Sequence, residues 1–323
     1  MSQEIPITLT ESKAVSNHKK RNLLNLFIVS MRPYQWTKNL FIFAPLLFGR
    51  KLSDPTAVFY SLVTFVTFSF LASSLYIFND WIDADEDRAH PEKCHRPISS
   101  GLLPASVALF GAAWLALSAF GIVYFISLNL FLISLLYFIL TLSYCLVLKR
   151  IIVLDGMTIA SGFVLRVVGG AIAIEVMPTH WLIVCTFLLA LFLAFTKRRQ
   201  ELLTLSNNAA DHREVLGQYT VSYLDQVNTI LIGAAIVCYA LYTVAQETVE
   251  RFGTDKLIYG TVFVIYGMLR YLALIRDSSK GGNPSKMLLQ DRPLLLTLIG
   301  WGIYNVLVIY RVAIDDFWRL LAK

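Results

Sequence analysis

Apolar residues along this chain fall in blocks of about twenty, the number of helical residues that crosses a bilayer core. Nine such blocks can be drawn: 36–50, 55–79, 103–125, 128–148, 151–174, 180–197, 222–247, 257–276 and 291–314. None shows the strict apolar–polar alternation of an outer-membrane barrel strand. The pattern predicts an all-α, polytopic membrane protein of about nine transmembrane helices. Residues 1–22 are polar, and the short apolar run Leu23–Val29 is followed by Arg32 and Lys38 rather than by a small-residue cleavage site. That is not the pattern of a signal peptide. We expect residues 1–30 to form a cytoplasmic tail with an interfacial helix, and residues 31–323 to form a single transmembrane domain.

Composition agrees. Of 323 residues, 56% are hydrophobic and 15% charged, against about 25% charged in a soluble domain. With the N-terminus placed inside, most of the 28 lysines and arginines fall on the same side, as the positive-inside rule requires. This orients the chain in a bacterial-type cytoplasmic membrane with its C-terminus outside. The net charge of +6 is then a topology signal and needs no nucleic-acid partner. None of the four cysteines has a second cysteine at metal-ligand spacing.

One polar stretch breaks the pattern. Directly after the second block stands "NDWIDADEDRAHPEKCHRPISSG", residues 79–101. If the helix continues through it, Asp80, Asp83 and Asp87 share one face within about 60°, with Asn79 beside them. Clustered carboxylates repel, so the arrangement asks for a cation. Oxygen ligands favour Mg²⁺, which keeps waters and bridges to phosphates. An EF-hand is excluded, because the loop glycine and closing glutamate are missing. Arg88, Lys93 and Arg96 follow at once, and cations next to metal-holding carboxylates suit a diphosphate.

The N-D-x-x-D-x-x-x-D pattern after a second membrane helix resembles the first aspartate-rich motif of the UbiA-type membrane prenyltransferases. The resemblance implies helices arranged around a central cavity and makes 31–323 a catalytic domain. It also implies that Asn79, Asp80, Asp83 and Asp87 hold Mg²⁺ and a diphosphate. The family's second motif, D-x-x-x-D near the end of the sixth span, is missing. In its place stands "FTKRRQELL", and Asp211 and Asp225 lie too far apart to form the motif. This departure, with "MRPYQWTKNLFIFAPLLF" (31–48), "YCLVLKRIIVLDGMTIASGFVLRVVGG" (144–170) and "YGMLRYLALIRDSSKGGNPSKMLLQDRPLL" (266–295), is similar to the family's phosphoribosyltransferase branch. There the lipid carries a monophosphate and attacks the sugar of 5-phosphoribosyl 1-diphosphate. The resemblance thus implies a Mg²⁺-dependent transferase that makes a polyprenyl-phosphoryl-5-phosphoribose for cell-wall biogenesis. It leaves room for a homo-oligomer.

Three phosphate-bearing ends need several cations. The candidates are Lys38, Arg88, Lys93, Arg96, Lys149, Arg150, Arg166, Lys197 and Arg198. Arg166 lies in mid-span, where a charge usually faces a cavity or a partner. Asp155, three turns or about 16 Å along the same helix, is too far to pair with it. Asp155 reads either as a ligand for a ribose hydroxyl or as a helix-end carboxylate. Asp291, Arg292 and Pro293 read as a helix start. Two rivals remain at this point: an aromatic polyprenyltransferase, which requires a second carboxylate cluster, and an anion transporter centred on Arg166, which requires inverted repeats.

Overall fold

The computed structural model describes residues 23–89, 93–205, 214–276 and 290–311. The expected tail over residues 1–22, and Asp211, lie outside the described residues. Among the described residues the fold is helical throughout, with eight helices long and apolar enough to cross a membrane. The elements are α1 (Leu23–Met31), a 3₁₀ segment (Pro33–Phe43), α2 (Ala44–Phe48), α3 (Pro55–Ile82), α4 (Ala84–Ala89), α5 (Ala105–Ile126), α6 (Leu128–Leu146), α7 (Leu154–Ala173), α8 (His180–Leu205), α9 (Val221–Val244), α10 (Gln246–Phe252), α11 (Thr261–Arg276) and α12 (Arg292–Ile309).

The expected first span, 36–50, is not one of the eight. Pro33 has no N–H to continue α1, and Arg32 turns the chain with φ 53°. A 3₁₀ segment follows, and then the five-residue α2, which carries Pro45 in its first turn. Neighbours inside the bundle hold this irregular stretch, as backbone at membrane depth requires. Asn39 donates to Ser69 Oγ at 2.9 Å, Trp36 Nε1 donates to Ser73 Oγ at 3.1 Å, and Ser73 Oγ donates to the Met31 carbonyl at 2.9 Å. On the other side α7 presents Gly170, where a Cβ would stand 2.1 Å from the Ile42 carbonyl oxygen. Only glycine allows so close an approach.

Consecutive spans pack in chain order from α3 through α5, α6, α7, α8 and α9 to α11 and α12. The 3₁₀ segment, α3 and α7 also touch one another, and α3 and α7 are the most enclosed of the spans. The segment around α2 also meets α9 and α12. The Tyr310 hydroxyl accepts from Leu52 N at 3.2 Å, and the Phe48 ring lies 6.1 Å from Tyr242 and 6.4 Å from Trp301. Phe68, Leu71, Leu75 and Leu130 fill the core on the α3 side. Phe163, Phe192, Leu224 and Ile275 fill it between α7 and α11.

The acidic stretch does not continue as one helix. α3 stops at Ile82, Asp83 sits in the turn, and α4 begins at Ala84. Asp80 and Asp83 oppose the negative end of the α3 dipole, whereas Asp85, Glu86 and Asp87 suit the first turn of a new helix, and the helix breaks between them. The expectation of one shared face is therefore replaced by two short arms that meet at Asp83.

Candidate active site

One end of the bundle gathers the polar chemistry. The C-terminal ends of α3, α6 and α8 and the N-terminal ends of α7 and α9 contribute to it. Side-chain contacts tie these ends together: Lys149 to Asp83, Arg198 to Asp155 and Tyr144, and Tyr219 to Asp155.

The acidic half comes from the two arms. The break at Asp83 brings Asp80 and Asp87 to a single guanidinium nitrogen. Arg96 Nη1 is 2.9 Å from Asp80 and 2.5 Å from Asp87. Both carboxylates are buried. Arg32 reaches Asp80 from the start of the 3₁₀ segment, with its guanidinium 5.4 Å from the centre of the Tyr76 ring. Burial works against the Arg32 cation, but Asp80 more than offsets it and holds the group above its ordinary pKa. Lys93 lies 3.8 Å from Asp87. Asp83 points elsewhere, accepting from Asn79 at 2.9 Å and from Lys149 at 2.6 Å. Arg88 is not brought in: it pairs at 2.6 Å with Asp85, which faces solvent.

Asn79, Asp80, Asp83 and Asp87 offer only hard oxygen donors, as Mg²⁺ requires. Among the described residues no three His, Cys, Asp or Glu side chains converge on a ready-made metal cage. The donors instead form two pairs, Asp80 with Asp87 and Asn79 with Asp83. Mg²⁺ commonly takes one or two carboxylates and completes its shell with waters and substrate phosphates, so the donor set fits the ion.

The basic half comes from the 3₁₀ segment, α7 and α8. Lys38 has Arg166, Arg32 and Arg198 as like-charged neighbours and the Tyr144 phenol close by. The described residues offer Lys38 no ion pair. Arg166 is enclosed: Nε donates to Asn39 at 2.6 Å, Nη1 to the Gly162 carbonyl at 2.9 Å and Nη2 to the Tyr137 hydroxyl at 2.8 Å. Mid-span, it has the partner that such a position demands. Lys197 lies 3.6 Å from Glu201 and has Lys38 as a like-charged neighbour.

Arg198 and Asp155 behave unlike the open ligands expected of them. They pair with each other at 2.6 Å, with side chains 1% and 0% exposed. Tyr219 donates to the other Asp155 oxygen at 2.6 Å, and Arg198 also holds Glu201 at 2.6 Å. Burial and the bond to Asp155 hold the Tyr219 phenol above its ordinary pKa. Arg199 turns away to Asp225 at 2.6 Å and to the Ile275 carbonyl at 2.7 Å. Asp291 caps α12 through Leu294 N at 2.9 Å and pairs with Arg270 at 2.9 Å. Residues missed by sequence reasoning are Arg32, Asn39, Tyr219 and Glu201. The first two lie in the R-P-x-Q-W-x-K-N stretch that carries part of the resemblance, which was the available signal.

A helical membrane bundle that sets oxygen-donor carboxylates beside a cluster of cations has a site suited to phosphate-bearing ligands. The sequence pattern of the UbiA prenyltransferase family matches residues 40–290, and the chain belongs to that family. It is an enzyme of the transferase class. It is 33% identical to the decaprenyl-phosphate phosphoribosyltransferase of Mycolicibacterium smegmatis, over 87% of this chain and 91% of that one. It is 32% identical to the same-named protein of Corynebacterium glutamicum, over 92% of each. Among solved structures, a UbiA homologue from Archaeoglobus fulgidus bound to DMAPP and Mg²⁺ matches with a TM-score of 0.66 at 18% identity, covering 88% of this chain and 96% of that one. At that identity the likeness speaks for the fold.

Proposed function

We propose that this enzyme transfers 5-phosphoribose from 5-phosphoribosyl 1-diphosphate to a decaprenyl-type polyprenyl phosphate and releases pyrophosphate. The observation that carries the reading is the gathering of carboxylates and cations within one site. The carboxylates of the acidic stretch, with Arg32, Arg96 and Lys149 on them, share one end of the bundle with Lys38, Arg166 and Lys197. A donor and acceptor with three phosphate-bearing ends call for both. A second carboxylate cluster, which an aromatic prenyltransferase requires, is not found among the described residues at the end of α8. The names carried by relatives that match over nine-tenths of their length support the same reading.

In this account Asn79, Asp80, Asp83 and Asp87 hold Mg²⁺, which when bound neutralises the charge that grows on the leaving diphosphate. Arg96 and Lys149, already beside those carboxylates, add donors for phosphate oxygens. Lys38 receives the lipid phosphate, and Lys197 receives the 5-phosphate. The bond from C1 to the diphosphate oxygen breaks, and its electron pair leaves with pyrophosphate. A lipid phosphate oxygen donates the new pair to C1. The acceptor is already an anion, so no general base is needed, and catalysis rests on positioning and charge neutralisation. The site faces the cytoplasm, where both anionic substrates approach the inner face of the membrane.

The discriminating experiment offers the purified enzyme two substrate pairs with Mg²⁺. One is 5-phosphoribosyl diphosphate with polyprenyl phosphate, and the other is polyprenyl diphosphate with 4-hydroxybenzoate. The reading expects product from the first pair alone. Product from the second pair alone would reassign the enzyme to the aromatic branch. Flux of an anion into liposomes without chemistry would reassign it to transport.

A further inference from the structure

The ribose of the proposed donor carries two neighbouring hydroxyls between its anionic ends, and a site that selects it needs an acceptor for them. A carboxylate is the usual one, since two oxygens can take both hydroxyls of a vicinal diol. Asp155 is disqualified by its surroundings. It is fully enclosed, so a sugar does not reach it. Asp80, Asp83 and Asp87 belong to the acidic half. Asp225 is turned towards Arg199 and away from the cluster.

Glu201 stands where the diol acceptor is wanted. It lies one helical turn beyond Lys197, so both project from the same face of α8. Lys197, on that face, has Lys38 as a like-charged neighbour. Arg198, about 100° further round the helix, points to Asp155 instead. The Glu201 side chain is 27% exposed, against 0% for Asp155. Lys197 at 3.6 Å and Arg198 at 2.6 Å fix its orientation. The buried Asp155–Arg198–Tyr219 network thus acts as a brace, and Glu201 is the group it presents.

Resting on the phosphoribosyl reading above, we infer that Glu201 recognises the ribose hydroxyls and is the residue that selects a sugar donor over other diphosphates. Lys197 and Glu201 then read one substrate together, the cation its phosphate and the anion its diol. Removing a hydroxyl that a charged acceptor holds lowers kcat/KM by about ten- to hundredfold.

The test compares 5-phosphoribosyl diphosphate with its 3-deoxy analogue in the wild type, in Glu201→Gln and in Glu201→Asp. Intrinsic reactivity cancels when the ratio of the two donors is compared between variants. The inference expects the wild type to prefer the full ribose, Glu201→Gln to lose at least tenfold of that preference, and Glu201→Asp to recover part of it. An unchanged ratio in Glu201→Gln, with overall activity reduced, would make Glu201 a brace for its cations and overturn the inference. If Glu201→Gln turns over too slowly to measure, competition by ribose 5-phosphate against its 3-deoxy analogue for binding gives the same ratio without catalysis. A wild type that transfers no phosphoribose at all overturns the parent reading, and this inference falls with it. The two failures are therefore distinguishable.

Discussion

Arg198 Nε lies 2.6 Å from Asp155 Oδ2, and the two side chains are sealed from solvent although 43 positions separate them in the chain. Breaking this pair from one side leaves Arg198 Nε and the Tyr219 hydroxyl buried without acceptors, although Glu201 still holds the far end of the guanidinium. Asp155→Ala is expected to lose about 2–3 kcal/mol of stability, read as a lower unfolding temperature in detergent. The double variant Asp155→Leu with Arg198→Met is expected to regain most of that loss. A double variant no better than Asp155→Ala would contradict the assignment of the pair as a structural brace.

Asn39 and Arg166 are coupled in the same way. Asn39 accepts from Arg166 Nε and donates to Ser69, tying the 3₁₀ segment to α7 and α3. Asn39→Ala leaves the enclosed guanidinium short of an acceptor and is expected to cost about 1–3 kcal/mol. Arg166→Lys is expected to be no milder, because an ammonium cannot reach Asn39, Gly162 and Tyr137 from one planar fork. Thermal unfolding of the two variants side by side checks this.

Arg96 touches both Asp80 and Asp87, the groups assigned to Mg²⁺. Arg96→Met removes a competitor for those carboxylates and a donor for the diphosphate at once. The KM for the diphosphate donor is expected to rise about tenfold or more, the worth of a charge-assisted contact. The Mg²⁺ concentration for half-maximal activity is expected to stay level or fall. A rise in the Mg²⁺ requirement with an unchanged KM would show that Arg96 supports the metal site.

Asp54 caps α3, accepting from Thr56 N at 3.0 Å and Ala57 N at 3.3 Å. The Ala57 N–H foremost, with Thr56 and Lys51, holds its carboxyl below the ordinary aspartate pKa. A depressed folded value means that the stabilisation is full above the ordinary pKa and fades as pH falls through the lowered one. Asp54→Ala is therefore expected to unfold earlier than the wild type at neutral pH and to match it in strong acid. Unfolding scans at the two pH values measure the difference.

Much of this was legible in the sequence, and the misses have physical causes. Apolar run length marked eight of the spans, since length and hydropathy alone decide whether a helix can cross. The segment at 36–50 holds a shorter apolar run, and Pro33, Pro45 and the turn at Arg32 keep it from forming one long helix. Asp80 and Asp87 were brought together as expected, through a bend rather than a continued helix. Periodicity describes contacts along one helix. It is blind to pairs such as Asp155 with Arg198 or Asp83 with Lys149, which form between helices.

The most direct test of the central claim is the passage of label from 5-phosphoribosyl diphosphate into extracted lipid. The enzyme is incubated in detergent with polyprenyl phosphate and Mg²⁺, beside an Asp83→Ala control and a chelator control. The account predicts a labelled lipid whose mass is that of polyprenyl-phosphoryl-5-phosphoribose, one pyrophosphate released for each lipid formed, and no product in either control. Lipid that stays unlabelled in the wild type, or label that moves equally well in Asp83→Ala, would contradict it.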